Sequence, residues 1–158
     1  MNSYKYLFSL VEKTKVFISE NPDSITFCKI NDPLSSNNIN DIATDHQKIF
    51  EIFNGGRFGI IDIWDKDFLS QIQYRVPNNN VCLYEVGQIL YKPIFFNKSS
   101  NTILLTVDDD FKSIDTNLDF YEFTLHYIFG SGYSSLVQND EADLWLNFIN
   151  DFLARRLG

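Results

Sequence analysis

The chain has 158 residues, the size of one domain, and a formal net charge of −8. That balance argues against a nucleic-acid surface built on clustered Lys and Arg, and against docking on anionic lipid. A hydrophobic fraction of 44%, with Phe 15 and Tyr 8, is enough for a large aromatic core without disulfides or structural metal.

The first element is an amphipathic helix over Tyr4 to Ser19, with Tyr4, Leu7, Phe8, Val11 and Ile18 at helical spacing and Pro22 beyond its end. Ile25 to Ile30 is short, β-branched and aromatic, and reads as a strand. Asp32 to Asn40 reads as a loop. Asp41 to Phe53 is the second helix, with Ile42, His46, Ile49, Phe50 and Phe53 on its apolar stripe and Asn54-Gly55-Gly56 as its stop. Phe58 to Trp64 alternates around Asp62 and reads as one strand. Asp65 caps a third helix that turns Phe68, Leu69 and Ile72 inward.

Val81 to Val86 is a strand, and Ile94 to Phe96 with Thr102 to Val107 form a hairpin around the Asn97–Asn101 turn. Asp108 to Thr116 is an acidic loop. Leu118 to Phe129 is a helix stopped by Gly130-Ser131-Gly132, and Asp140 or Asp143 starts a last helix. The order lacks regular βαβ alternation. It predicts a single α+β domain over residues 1–158, with a mixed, mostly antiparallel sheet wrapped by N- and C-terminal helices.

Chemistry-bearing motifs are scarce. Gly55-Gly56-Arg57-Phe58-Gly59 follows a helix and precedes a strand, the wrong order for a phosphate cradle. His46 and His126 stand outside any metal-ligand pattern and are expected to pack on helix faces. Asp108-Asp109-Asp110 lacks the spacing, Gly turn and late Glu of an EF-hand loop, and Gly132-Tyr133-Ser134-Ser135 lacks the closing Gly of a nucleophile elbow. Cys28 and Cys82 lie in apolar strand-like runs and are expected to be buried thiols. No catalytic residue, cofactor or metal is expected. Met1 to Tyr6 shows no signal-peptide pattern and no apolar run reaches the roughly 20 residues of a membrane span, so the expected location is the cytoplasm.

Charge is distributed unevenly. Residues 1–80 carry ten acids and eight bases, whereas residues 81–158 carry eleven acids and five bases. The excess concentrates between Asp108 and Glu122, where Asp108, Asp109, Asp110, Asp115, Asp119 and Glu122 face only Lys112. Such crowding needs water or a cation to offset it, and a basic protein is one source of that cation. These six acids, with Trp64, Tyr91 and Tyr133 as exposed aromatic anchors, are the expected partner-binding residues.

Three stretches in fixed order resemble the SUKH superfamily of immunity proteins. They are Ile49-Phe50-Glu51-Ile52-Phe53-Asn54-Gly55-Gly56-Arg57-Phe58-Gly59, then Tyr84-Glu85-Val86-Gly87-Gln88-Ile89-Leu90-Tyr91-Lys92-Pro93-Ile94, then Asn117-Leu118-Asp119-Phe120-Tyr121-Glu122-Phe123. The resemblance implies a sheet wrapped by helices and a non-catalytic protein that binds and neutralises a cognate bacterial toxin, often a nuclease. A nuclease toxin is basic because it holds phosphate, and acids on an inhibitor mimic its substrate. Two further readings stand beside this one: an intracellular adaptor or regulatory scaffold on the same fold, and a small hydrolase.

Overall fold

The computed structural model describes residues 3–35, 42–77, 80–107, 112–138, 142–153 and 155. Helix α1, Ser3–Glu20, buries Leu7 and Val11 as its periodicity predicts, but Leu10 is buried beside them and Phe8, expected on the same stripe, is 49% exposed because the buried face is turned towards Leu10. Pro22 then opens a 3₁₀ turn, Pro22–Thr26, in which Ser24 donates its hydroxyl to the Asn21 carbonyl at 2.6 Å. That turn consumes the start of the expected Ile25–Ile30 strand, and β1 is only Cys28–Ile30. Helix α2 is Thr44–Phe50, shorter at both ends than expected. Beyond it Gly55 has φ +71°, and a Cβ there would lie 2.6 Å from the Ile63 carbonyl oxygen, so the stop requires glycine.

The expected single strand over Phe58 to Trp64 is instead a hairpin of β2, Gly56–Phe58, and β3, Ile61–Ile63. Phe58 pairs with Ile61 across a two-residue turn. Gly59 there has φ +61° while Ile60 is not left-handed, the pattern of a Gly-X hairpin turn. Helix α3, Lys66–Gln71, starts at Asp65, whose carboxylate accepts the Phe68 N–H at 2.8 Å; Leu69 and Ile72 are buried as predicted, while Phe68 stays partly exposed. A 3₁₀ turn, Gln73–Arg75, follows.

Strands β4 (Leu83–Ile89), β5 (Lys92–Asn97), β6 (Thr102–Thr106) and β7 (Ser113–Asp115) complete a seven-stranded sheet. Spatial order follows chain order and every pairing is antiparallel, so the α+β domain is built on a meander with no parallel pair among the described strands. β7 occupies part of the expected acidic loop. The β4–β5 turn puts Leu90 at φ 56°, a conformation that costs a non-glycine residue about 1–2 kcal/mol.

Helix α4, Phe120–Phe123, widens into a π-helical turn, Thr124–Ile128. A 3₁₀ turn, Ser131–Ser135, leads towards α5, Leu144–Phe148. Asp143 caps α5 by accepting the Leu146 N–H at 2.9 Å; the alternative start, Asp140, lies outside the described residues. One face of the sheet meets α1, α2, α4 and α5 in a core holding Phe50, Phe53, Phe58, Phe96, Phe120, Phe123 and Trp145. Phe58 sits at its centre, edge-on to Phe53, Phe129 and Trp145 with centroids 5.5–5.7 Å away. Each such aromatic pair adds about 0.5–1.5 kcal/mol to area burial. The segment of α3 and the turn after it reaches the opposite face, over Glu85.

Candidate protein-binding site

Two surfaces emerge at different places on the sheet. The first is acidic and lies where β7, the start of β6 and the N-termini of α2 and α4 meet. Asn101 donates its side-chain amide to Asp45, and the next residue, Thr102, donates its hydroxyl to Asp115 at 3.0 Å. Asp119 feels both Asp45 and Glu122: burial raises its pKa most, the Glu122 N–H that it accepts opposes this, and the two negative neighbours raise it further. Tyr4, half-buried at the same place, has its pKa raised to about 12 by burial and then by Asp45 and Asp119. Thus Asp119 and Glu122 are brought together and Asp45 joins them, while Asp115 is linked to Asp45 only through the adjacent Asn101 and Thr102. Sequence reasoning missed Asp45 because nothing in the chain links α2 to the β5–β6 turn; its position in the first turn of α2 reads only as helix-dipole compensation. Asp108, Asp109 and Asp110 lie outside the described residues.

These carboxylates also have local structural duties. Asp119 accepts the Glu122 N–H at 2.7 Å while Glu122 accepts the Asp119 N–H at 3.0 Å, a capping box that starts α4. Asp115 accepts the Asn117 N–H at 2.8 Å. Among the described residues no strand pairs with the outer side of β7. All three residues of β7 are exposed, including the apolar Ile114.

The second surface is a groove of about 480 Å³ across the outer face of β1–β3, walled by α3. Trp64 stands on that wall, half-buried. Its indole N–H donates to the Glu85 carboxylate at 2.6 Å, and Phe68 meets its ring edge-on at 4.7 Å. Glu85 is fully buried and accepts two further bonds from Arg75, at 2.7 Å each to Nε and Nη2. That hydrogen bonding, ahead of the opposing effect of burial, holds the Arg75 pKa above its ordinary value. Past the end of β3 the Gln73 carboxamide takes the place of a strand partner, accepting the Glu85 N–H at 2.8 Å and donating to its carbonyl at 3.0 Å. Arg75 also donates to the Tyr91 carbonyl at 3.1 Å. Tyr91 is 86% exposed on a turn braced in this way, as an anchor requires.

Tyr133 corrects the expectation of a third exposed aromatic. It is 0% exposed, and its hydroxyl accepts the Ile60 N–H at 3.0 Å and donates to Asp143 at 2.9 Å. The reason is Gly59, which leaves room for the phenol to close over the β2–β3 turn.

His46 is fully buried between Phe50 and Phe120, parallel to both at 4.5 and 4.6 Å, with Nδ1 2.9 Å from the Tyr84 hydroxyl. Burial lowers its pKa to about 3. His126 is exposed and meets Tyr127 edge-on. Cys28 is buried, which pushes its thiol up to about 12. Cys82 is only half-buried and accepts the Ser99 hydroxyl at 3.0 Å, contrary to the expected buried thiol, because it lies just before β4 begins. Among the described residues no group of three or more His, Cys, Asp or Glu is placed to hold a metal, and no helix is long and apolar enough to cross a membrane.

These features define a single-domain α+β protein with an acidic sheet edge and a separate, braced aromatic groove. Comparison with family models, curated proteins and solved structures finds no match to the chain.

Proposed function

We propose that this protein is a non-catalytic binding protein that captures a basic protein toxin and neutralises it, in the manner of an immunity protein. The observation that carries the reading is the grouping of Asp45, Asp119 and Glu122, with Asp115 of the exposed edge strand β7 tied to Asp45 through the adjacent Asn101 and Thr102. The resemblance of three stretches to SUKH immunity proteins supports the choice of a toxin as the partner. Crowded carboxylates repel one another in the free protein, and Lys or Arg groups of a partner relieve that repulsion on docking. Exposed Ile114 supplies an apolar contact among them.

The test is co-purification with the product of the neighbouring gene, together with protection of cells that express that product. A stable complex and restored growth are expected. Absence of both for every adjacent-locus toxin overturns the reading.

A further inference from the structure

We propose that the groove between β1–β3 and α3 binds an acidic, aromatic-bearing peptide segment of a partner protein, at a site separate from the acidic edge. Its floor is one row of side chains in direct cross-strand register: Lys29 opposite Arg57, Arg57 opposite Asp62, Asp62 opposite Gln88. Arg57 Nε donates to Asp62 at 2.9 Å, and the other Asp62 oxygen accepts Gln88 Nε2 at 3.0 Å. The remaining carboxylate of the lining, Asp65, is committed to the cap of α3. Lys29 therefore has no partner among the described residues, and it faces Arg57, a like charge on the adjacent strand.

Like charges directly opposed across a sheet oppose folding, and an anion seated between them removes that cost. Lys29 Nζ and the two Arg57 Nη groups are the uncommitted donors of the floor, so the groove offers one carboxylate a charge-assisted site. The wall is ready for an aromatic or apolar neighbour of that carboxylate. Trp64 has its single polar atom held by buried Glu85 and its ring met by Phe68, so little order is lost when a side chain packs against it. Ile25, 61% exposed, stands across the groove.

The groove continues past Phe68 into a second depression of about 430 Å³, lined by Asn31, Asn54, Asp65, Asp67, Phe68 and Gln71. Its amides suit a peptide backbone. Asp67 places the acidic side chain of the ligand at the Lys29–Arg57 end, where it meets no uncommitted carboxylate. Two cations flanked by Asp62 and Asp65 do not suit a polyphosphate, and this favours peptide over nucleotide.

The experiment is an NMR titration that follows the indole N–H signals of the intact protein, with Trp64 assigned by Trp64→Phe. The probe is the blocked peptide acetyl-Glu-Phe-Glu-Phe-amide, with its Gln-Phe and Lys-Phe counterparts and ADP as comparators. A saturable shift of the Trp64 signal by the acidic peptide is expected, weakened about tenfold in Lys29→Gln or Arg57→Gln, while Glu122→Lys leaves it unchanged. Equal shifts with the Gln-Phe peptide, a stronger response to the Lys-Phe peptide or to ADP, or no saturable shift at millimolar peptide overturns the proposal. So does retention of full affinity in both floor variants.

Discussion

The Trp64 indole donates its N–H to the carboxylate of Glu85 at 2.6 Å, and Glu85 has no solvent exposure. A charge in that position is tolerated because Arg75 closes on it with two bonds and Trp64 with a third. The same three residues fix the groove wall and, through the Arg75 bond to the Tyr91 carbonyl, the β4–β5 turn.

Replacing Glu85 by Gln leaves Arg75 half-buried without its counter-charge. The expected cost is about 3–5 kcal/mol, read as a lower urea midpoint. Trp64→Phe removes one charge-assisted bond and is expected to cost about 1.5–3 kcal/mol. A Glu85→Gln variant as stable as the parent contradicts the bracing role of this cluster.

His46 ties stability to pH. Its pKa is lowered from 6.5 to about 3 in the folded protein by burial, so between these values the unfolded chain binds more protons. The stabilisation is complete above pH 6.5 and is lost progressively as pH falls towards 3. Between pH 7.5 and pH 5.5 the parent should lose about 1.4 kcal/mol more than His46→Phe, measured by urea unfolding at each pH. Identical losses in the two proteins exclude this linkage.

Gly59 and Tyr133 act as a lock. A Cβ on Gly59 would fall 1.9 Å from the Tyr133 hydroxyl at a residue whose φ is +61°, so Gly59→Ala combines a clash with backbone strain. A loss of at least about 3 kcal/mol is expected, seen as a drop in Tm. Tyr133→Phe keeps the ring but strands the Ile60 N–H and Asp143, and should cost about 1–3 kcal/mol without changing partner affinity.

Much of the architecture was legible because it is locally encoded. The face of α1, the Asp65 cap, the Asn54-Gly55-Gly56 stop and the β5–β6 hairpin all follow from periodicity or cap chemistry. The β2–β3 hairpin is hidden in the sequence because Asp62 and its neighbours still alternate across Gly59-Ile60; the Gly-X pair between two apolar strands is its one local signal. The candidate site was legible only in part. Asp119 and Glu122 are neighbours in the chain as well as in space, whereas Asp45 reaches them, and Asp115 is linked to Asp45, only through the fold. The burial of Tyr133 is a tertiary property that its neighbours in the chain do not show. Lys29, Arg57 and Phe68 were missed as groove residues for the same reason, their juxtaposition depending on strand register.

Capture of a basic protein by the acidic edge would make association with the neighbouring-gene toxin fast at low salt and slower as salt is added. Asp115→Lys combined with Glu122→Lys should slow association at low salt by about tenfold or more and flatten its salt dependence, while Lys29→Gln leaves both unchanged. Asp119 is left in place because its carboxylate caps α4, and because Glu122 closes the same capping box the double variant is measured at a temperature where its circular dichroism matches the parent. An association rate that the double variant does not alter, or that rises with added salt in the parent, contradicts the account.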